Sequence, residues 1–250
     1  MRILLTNDDG IFAKGIEALY LALAEYHDVT VVAPETEQSA VGHAITFLSP
    51  LRVTSVQRNG GFFGYALSGT PADCVKIAVT ELLDPKPDVV VSGINMGANV
   101  GVNVIYSGTV SAATEAAVLG IPSVAVSIDS FDTTDFSAAT TFIPKLLAII
   151  EKERLPRGVS INVNVPDLPA EAVRGVRITH QGIRQCVEAY DRRVDPRNHV
   201  YYWLSNSDVI SDTDPDADSC AVADGYVSVT PIHYDLTRYG MLDALKKWDL

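Results

Sequence analysis

Short unbroken apolar runs alternate along this chain with amphipathic stretches, and that alternation is its first structural signal. Residues 2–7, Arg-Ile-Leu-Leu-Thr-Asn, form an apolar run that stops at Asp8, Asp9 and Gly10. Ile16, Leu19 and Leu23 then recur at helical spacing, which predicts a helix over 15–26. The cycle repeats with an expected strand over 29–33 before a polar loop around Ser39, and again with 88–92 before Gly93, Ile94 and Asn95. Helices are expected over 71–83 and 110–119, with a further strand over 123–128. A strand buried on both faces needs consecutive apolar residues, so this order predicts a parallel, Rossmann-like sheet covered by helices on both sides: an α/β fold.

Beyond Pro156 the texture changes. Strands are expected over 159–165, 173–180 and 226–231, a polar and aromatic region lies between them, and 241–248 suits a short terminal helix. The expected organisation is one domain over 1–250, with a Rossmann-like core over about 1–155 and a β-rich C-terminal appendage over about 156–250. Residues 208–224 carry six aspartates and no basic residue. There is no internal repeat or low-complexity tract.

Composition narrows the function. Of 250 residues, 47% are hydrophobic, enough to bury a full core and to exclude a disordered acidic chain. The formal net charge of -12 argues against duplex nucleic acid as a partner, since a polyphosphate backbone calls for a concentrated cationic surface. A small anion remains compatible if a metal supplies the positive charge. Cys74, Cys186 and Cys220 are odd in number and widely spaced, which suits neither a disulfide framework nor a paired-cysteine zinc site. A cytoplasmic protein is expected, with neither a signal segment nor a membrane span in its pattern.

Ligands of open α/β sheets gather beyond the carboxyl ends of strands. Here those positions are rich in oxygen: Asn7, Asp8 and Asp9 after the first strand, Glu35 to Ser39 after the second, Asn95 and Asn99 after the strand ending at Ser92. Two carboxylates with a hydroxyl and an amide carbonyl are hard donors, suited to Mg²⁺ or Mn²⁺ rather than zinc. Asp-Asp-Gly alone reads as a turn with a helix cap; convergence with Asn95 from another strand end favours a metal site. A second constellation, Tyr106-Ser107-Gly108-Thr109-Val110-Ser111, opens an alanine-rich helix after a glycine-punctuated loop, and free amides there suit phosphate. It lacks the Gly-Lys-Ser/Thr of a P-loop. The two groups sit on different elements and are expected to fail independently. The run Asp212 to Asp218 has Ala217 and Ala223 where a calcium loop needs Gly and Glu, so it reads as a solvated acidic loop. His43, His180, His199 and His233 show no ligand spacing, and Cys74 reads as core.

Several long segments resemble the SurE family of survival proteins. They are Ile3 to Gly10, Ala33-Pro34 with Gln38 to Gly42, Ser68 to Val75, Ser92 to Gly97 running on to Tyr106 to Val110, Asn162 to Pro166, and Gly225 to Pro231. The resemblance implies a divalent-metal-dependent 5'-nucleotidase that acts on nucleoside monophosphates, with 3'-nucleotides and polyphosphate as further substrates in some members. It places the metal on Asp8, Asp9, Ser39 and Asn95, the phosphate on Asn95, Ser107, Gly108 and Thr109, and proton transfer on Asp8 or Asp9. It also implies dimers or tetramers formed by exchange of C-terminal elements. Two other readings stand beside it at this stage. An aspartyl-phosphate enzyme is disfavoured because the aspartates are adjacent, whereas a non-catalytic nucleotide-binding regulator shares every feature of the fold.

Overall fold

The first apolar run forms β1 (Arg2–Thr6), which lies inside a nine-stranded sheet. The computed structural model describes residues 1–58 and 60–249, with backbone alone at 186–188 and 206–208; the side chains of Cys186 and Asp208 thus lie outside the described residues. The chain continues through α1 (Lys14–Ala24), β2 (Asp28–Pro34), β3 (Val53–Arg58), β4 (Gly61–Leu67), α2 (Pro71–Ile77), β5 (Val89–Met96), α3 (Gly108–Val118) and β6 (Ser123–Ile128). Then come α4 (Ser137–Glu153), β7 (Val159–Val165), β8 (Val176–Ile178), β9 (Gln185–Val194), β10 (Val200–Ile210), α5 (Asp218–Ala223), β11 (Val227–His233) and α6 (Leu242–Leu245).

The spatial order is β3-β4-β2-β1-β5-β6-β7-β11-β8. The strands from β4 to β7 are mutually parallel, while β3 and β11 run antiparallel to β4 and β7. The chain winds outward from β1 through β2 to β4, then returns to restart at β5 on the other side of β1. At that reversal neighbouring connections diverge, which opens a crevice beyond the carboxyl ends of β1 and β5.

Side-chain alternation distributes the core. Ile3 and Leu5 of β1 pack with Ile16, Leu19 and Leu23 of α1 and Ile143 and Leu147 of α4 on one face. Leu4 packs with Cys74 and Val75 of α2 and Ala112 and Ala116 of α3 on the other. Each of these leucines is fully buried, and truncating one such as Leu19 to Ala would cost about 2–5 kcal/mol. Thr70 starts α2 with a capping box: its side chain accepts from the Asp73 amide, and Asp73 reaches back to the Thr70 amide.

Four departures from the sequence pattern bear on function. β5 runs on to Met96, because a register shift between Ser92 and Asn95 restores pairing with β6, so Asn95 sits on the strand's end rather than beyond it. The hairpin β3–β4 and the helix α4 were not anticipated. The strand expected over 173–180 shrinks to the three residues of β8 at the sheet edge. Finally, the β-rich C-terminal region does not stand apart as a whole: β7 and β11 extend the main sheet because Val163, Val165, Val227 and Val229 belong to the same core cluster as β1. Among the described residues, β9 and β10 alone form a separate antiparallel ribbon.

Candidate active site

The turn after β1 delivers Asp8 and Asp9, the end of β5 delivers Asn95, the loop after β2 delivers Ser39, and Ser107 is the residue that caps α3. Asp8, Ser39, Asn95 and Ser107 line one cavity of about 440 Å³ at the sheet reversal. Asn99, Asn103, Tyr106 and Met96 line it too. Gly108 and Thr109 are buried and turn toward Asp8.

Asp8 is the anion at the start of α3. Thr109 donates its hydroxyl to the Asp8 carboxylate. Gly108 must be glycine for that approach, since a Cβ there would lie 2.7 Å from the Asp8 Cβ and 2.9 Å from its Oδ2. Burial pushes the Asp8 carboxyl up, against the Thr109 hydroxyl and the backbone amides of Asp8, Thr109 and Gly108, which favour its charged form. The positive end of the helix thus faces a carboxylate of the protein itself. Val110 spends its amide on the Ser107 hydroxyl at 3.1 Å, the N-cap bond. This alters the expectation of free amides awaiting phosphate: Ser107 faces the cavity, whereas Gly108 and Thr109 act on Asp8.

Asp9 is raised to about 7, first by burial and then by the charge of Asp8, with a smaller push from Glu37. Its Oδ2 is buried and has no hydrogen-bond partner. No basic side chain among the described residues favours ionisation of either aspartate. A buried carboxylate beside a half-buried one with an orphaned oxygen lacks a positive charge, and an oxygen-seeking divalent ion fits that deficit. Asn95 fits as well: its Nδ2 donates to the Gly97 carbonyl at 2.7 Å, which leaves Oδ1 as the free acceptor. Ser39 is exposed and donates to Glu37 Oε1 at 2.6 Å, with its hydroxyl oxygen open as a ligand. Among the described residues no three of His, Cys, Asp and Glu form a metal cluster; the candidate donors here are two carboxylates with an amide and a hydroxyl.

The Ser39 loop has little regular structure and is held by tethers. The Gln38 amide donates to the Asp8 carbonyl at 2.8 Å, and Gly42 donates to the Tyr106 carbonyl at 3.0 Å. His43 Nε2 meets Glu115 Oε2 at 2.8 Å, and Lys76 Nζ meets Glu115 Oε1 at 2.9 Å. Glu115 lies on α3, 5% exposed, so this triad ties the loop to the helix that Ser107 caps. Asp73 extends the tethering by accepting the Thr46 amide at 3.0 Å.

Two aspartates of the expected solvated acidic loop are structural. Asp218 is fully buried and accepts the amides of Gly101, Gly182 and Ser219, and Asp212 accepts those of Ile183 and Arg184. Both pin residues 182–184 and the glycine loop beside the cavity. Other cavity residues were not singled out by the sequence pattern: Phe131 on the loop after β6, Gln185 at the start of β9, and Leu204 on β10. Sequence position alone could have flagged Phe131, because it follows a strand end like Asp8.

A doubly covered, mainly parallel sheet with an oxygen-lined cavity at its reversal defines an α/β protein built to hold a small anionic ligand at strand ends. The profile of the family described as "Survival protein SurE" matches residues 3–188, and the chain belongs to that family. A protein of Syntrophobacter fumaroxidans named 5'-nucleotidase SurE is 73% identical over 250 residues, covering 100% of both chains. A protein of the same name from Syntrophus aciditrophicus is 52% identical over 247 residues, covering 98% of this chain and 93% of its own. The crystal structure of the SurE protein from Aquifex aeolicus superposes with a TM-score of 0.86 at 39% identity, covering 98% of each chain.

Proposed function

We propose that this chain is a 5'-nucleotidase, a phosphoric monoester hydrolase that releases phosphate from nucleoside 5'-monophosphates with the help of one divalent ion. The observation that carries the proposal is the adjacent pair of Asp8, buried, and Asp9, half-buried with an orphaned Oδ2, at the sheet reversal with no neutralising cation among the described residues. The names borne by the 73% and 52% identical relatives point the same way.

Asp8, Asp9, Ser39 and Asn95 would hold Mg²⁺ or Mn²⁺. When bound, the ion supplies the positive charge that draws electron density from the phosphoryl group and makes water acidic enough to attack. Asn95, oriented by its bond to Gly97, keeps a carbonyl oxygen on the cavity. Ser107 presents a hydroxyl proton to a phosphoryl oxygen while its oxygen caps α3. Gly108 and Thr109 orient Asp8 and thereby act on phosphate indirectly. Asp8 or Asp9 would accept the proton from the attacking water. Water adds to phosphorus, the ester oxygen leaves in line with it, and the products are a nucleoside and inorganic phosphate.

Self-association as a dimer or tetramer belongs to the same proposal. The ribbon β9–β10 exposes Tyr190, Tyr201, Tyr202, Trp203 and Leu204, and residues 234–249 expose Leu236, Tyr239 and Trp248. An isolated two-stranded ribbon is marginal in water, and an exposed apolar surface of this kind suits a second copy. Exchange through β11 itself is not part of the proposal, because β11 completes its own chain's sheet. No described helix is long and apolar enough to cross a membrane.

Phosphate release from a nucleoside monophosphate, measured after exhaustive chelation and again after Mn²⁺ or Mg²⁺ is restored, tests the proposal. Loss and recovery are expected. Undiminished turnover with metal absent by elemental analysis overturns the metal site, and no turnover in either state overturns the enzyme in favour of a nucleotide-binding regulator.

A further inference from the structure

The cavity is polar at Asp8, Ser39, Asn95, Asn99 and Ser107, and its remaining wall mixes apolar side chains with the amides of Asn103 and Gln185. Phe131 lies on the loop after β6, 87% exposed, at a position where no packing partner rewards its aromatic surface. Its ring edge rests over the backbone of Gly97: a Cβ added there would meet Cε1 at 2.5 Å and Cζ at 3.0 Å. Gly97 also holds a φ of +102°, so both its conformation and its lack of a side chain keep the place under the ring clear. Gly97 is the residue whose carbonyl fixes Asn95, and the aromatic wall and the polar floor therefore share one backbone unit. Met96, Tyr106 and Leu204 continue the apolar wall, with the amides of Asn103 and Gln185 beside it.

A cavity of about 440 Å³ is far larger than a phosphate group requires and lies in the range that encloses a drug-sized ligand. We infer that Phe131 is a specificity-determining residue, the platform on which the nucleobase of the substrate stacks, with Asn103 and Gln185 as hydrogen-bonding partners for the base or ribose. The inference rests on the nucleotidase proposal and names the part of the site that distinguishes a nucleotide from any other phosphomonoester. A flat ring with exposed faces recognises every base by its π-surface, so it favours purines over pyrimidines by area and does not select among purines.

The test compares a purine nucleoside 5'-monophosphate with ribose 5-phosphate, the same ester without a base, in the Mn²⁺-loaded enzyme. Phe131→Ala is expected to raise the nucleotide KM about threefold to tenfold relative to that of ribose 5-phosphate, the scale of one aromatic stacking contact. Phe131→Tyr should restore the parent ratio and Phe131→Leu should recover it in part. A ratio unchanged in Phe131→Ala overturns the inference. Because the side chain is exposed, the variant is expected to melt with the parent, and circular dichroism verifies that. Calorimetric titration of adenosine into chelated protein separates this inference from the reaction itself. Adenosine binding that weakens in Phe131→Ala supports the platform even if hydrolysis fails; adenosine that binds parent and variant alike, or neither, overturns it.

Discussion

Thr109 donates its hydroxyl to the carboxylate of Asp8, across 101 residues of sequence. The link joins the start of α3 to the turn after β1, so the proposed metal-binding and phosphate-binding residues share a hydrogen bond and are expected to fail together. Thr109→Val keeps the shape of the side chain and removes the donor. Loss of a partner that orients a metal-binding carboxylate typically costs 10–100-fold in metal affinity or activity, so Mn²⁺ affinity and kcat should fall together by roughly that factor. Thr109→Ser should keep both. Calorimetric Mn²⁺ titration beside steady-state kinetics decides it, and parent-like Mn²⁺ affinity in Thr109→Val would show that the bond does not orient Asp8.

Asp9 makes the metal-free protein sensitive to pH. Its carboxyl is raised from 3.8 to about 7, so its contribution to stability is intact below the ordinary carboxylate value and is lost as pH rises through 7. Chelated parent protein should therefore melt at a lower temperature at pH 8 than at pH 5 by more than Asp9→Asn does, and saturating Mn²⁺ should remove the difference. Asp9→Asn should also bind Mn²⁺ weakly and turn over slowly, since one of two carboxylate charges is gone. Scanning calorimetry at the two pH values provides the check; equal slopes for parent and variant would refute the assignment.

Glu115 has the opposite sign. Burial alone would raise its carboxyl, yet the hydrogen bonds and charges of His43 and Lys76 prevail and hold it below its ordinary value. Its stabilisation is present above the ordinary carboxylate pKa and is lost as pH falls through the lowered one. Both partners are more than a third exposed and can rehydrate, so Glu115→Ala should cost about 1–3 kcal/mol, or some 2–4 °C in Tm per kcal/mol. The acid limb of the stability curve should flatten in the variant. Because the triad tethers the Ser39 loop, Mn²⁺ affinity should drop as well, and Glu115→Gln should recover part of both losses. A variant that melts with the parent and binds Mn²⁺ as tightly would dismiss the tether.

Tyr202 and Trp203 expose aromatic rings on opposite faces of the ribbon, paired across it with Arg192 and Asp191. Trp203→Glu should lower the mass in solution measured by light scattering over a wide concentration range, while Leu19, Leu23 and the rest of the α1 face keep the fold intact. The same mass in parent and variant at every concentration would exclude the ribbon as the interface.

Position along the chain revealed one part of the site and hid another. Asp8, Asp9, Asn95 and Ser107 stood out as candidates because each follows an apolar run or opens an expected helix, and strand ends are where open sheets bind ligands, although β5 runs on to Met96 and so carries Asn95 on the strand itself. The parallel core was legible for a related reason: consecutive buried residues such as Val89, Val90 and Val91 leave little alternative. The contact of Thr109 with Asp8 was not, because a hydroxyl in the first turn of a helix has the same composition whether it meets a phosphate or the protein's own aspartate. Asp212 and Asp218 looked solvated because their amide partners lie on segments that are distant in sequence. The ribbon escaped notice because Tyr201 to Leu204 is apolar without alternation, and neither of its faces is buried by its own chain. In α4, Pro144 interrupts the composition of a helix whose Ile143, Leu147 and Ile150 still face the core.

Gly108 leaves this protein little room to change its chemistry gradually. Any side chain there strikes Asp8, and any loss at Thr109 disturbs the same carboxylate, so the start of α3 tolerates no drift that leaves the ion undisturbed. Phe131, Gln185 and Leu204 reach the same cavity from a loop and a ribbon, away from the start of α3. Substitution at those three positions would therefore reshape the cavity wall while the packing of Gly108 on Asp8 stays as it is.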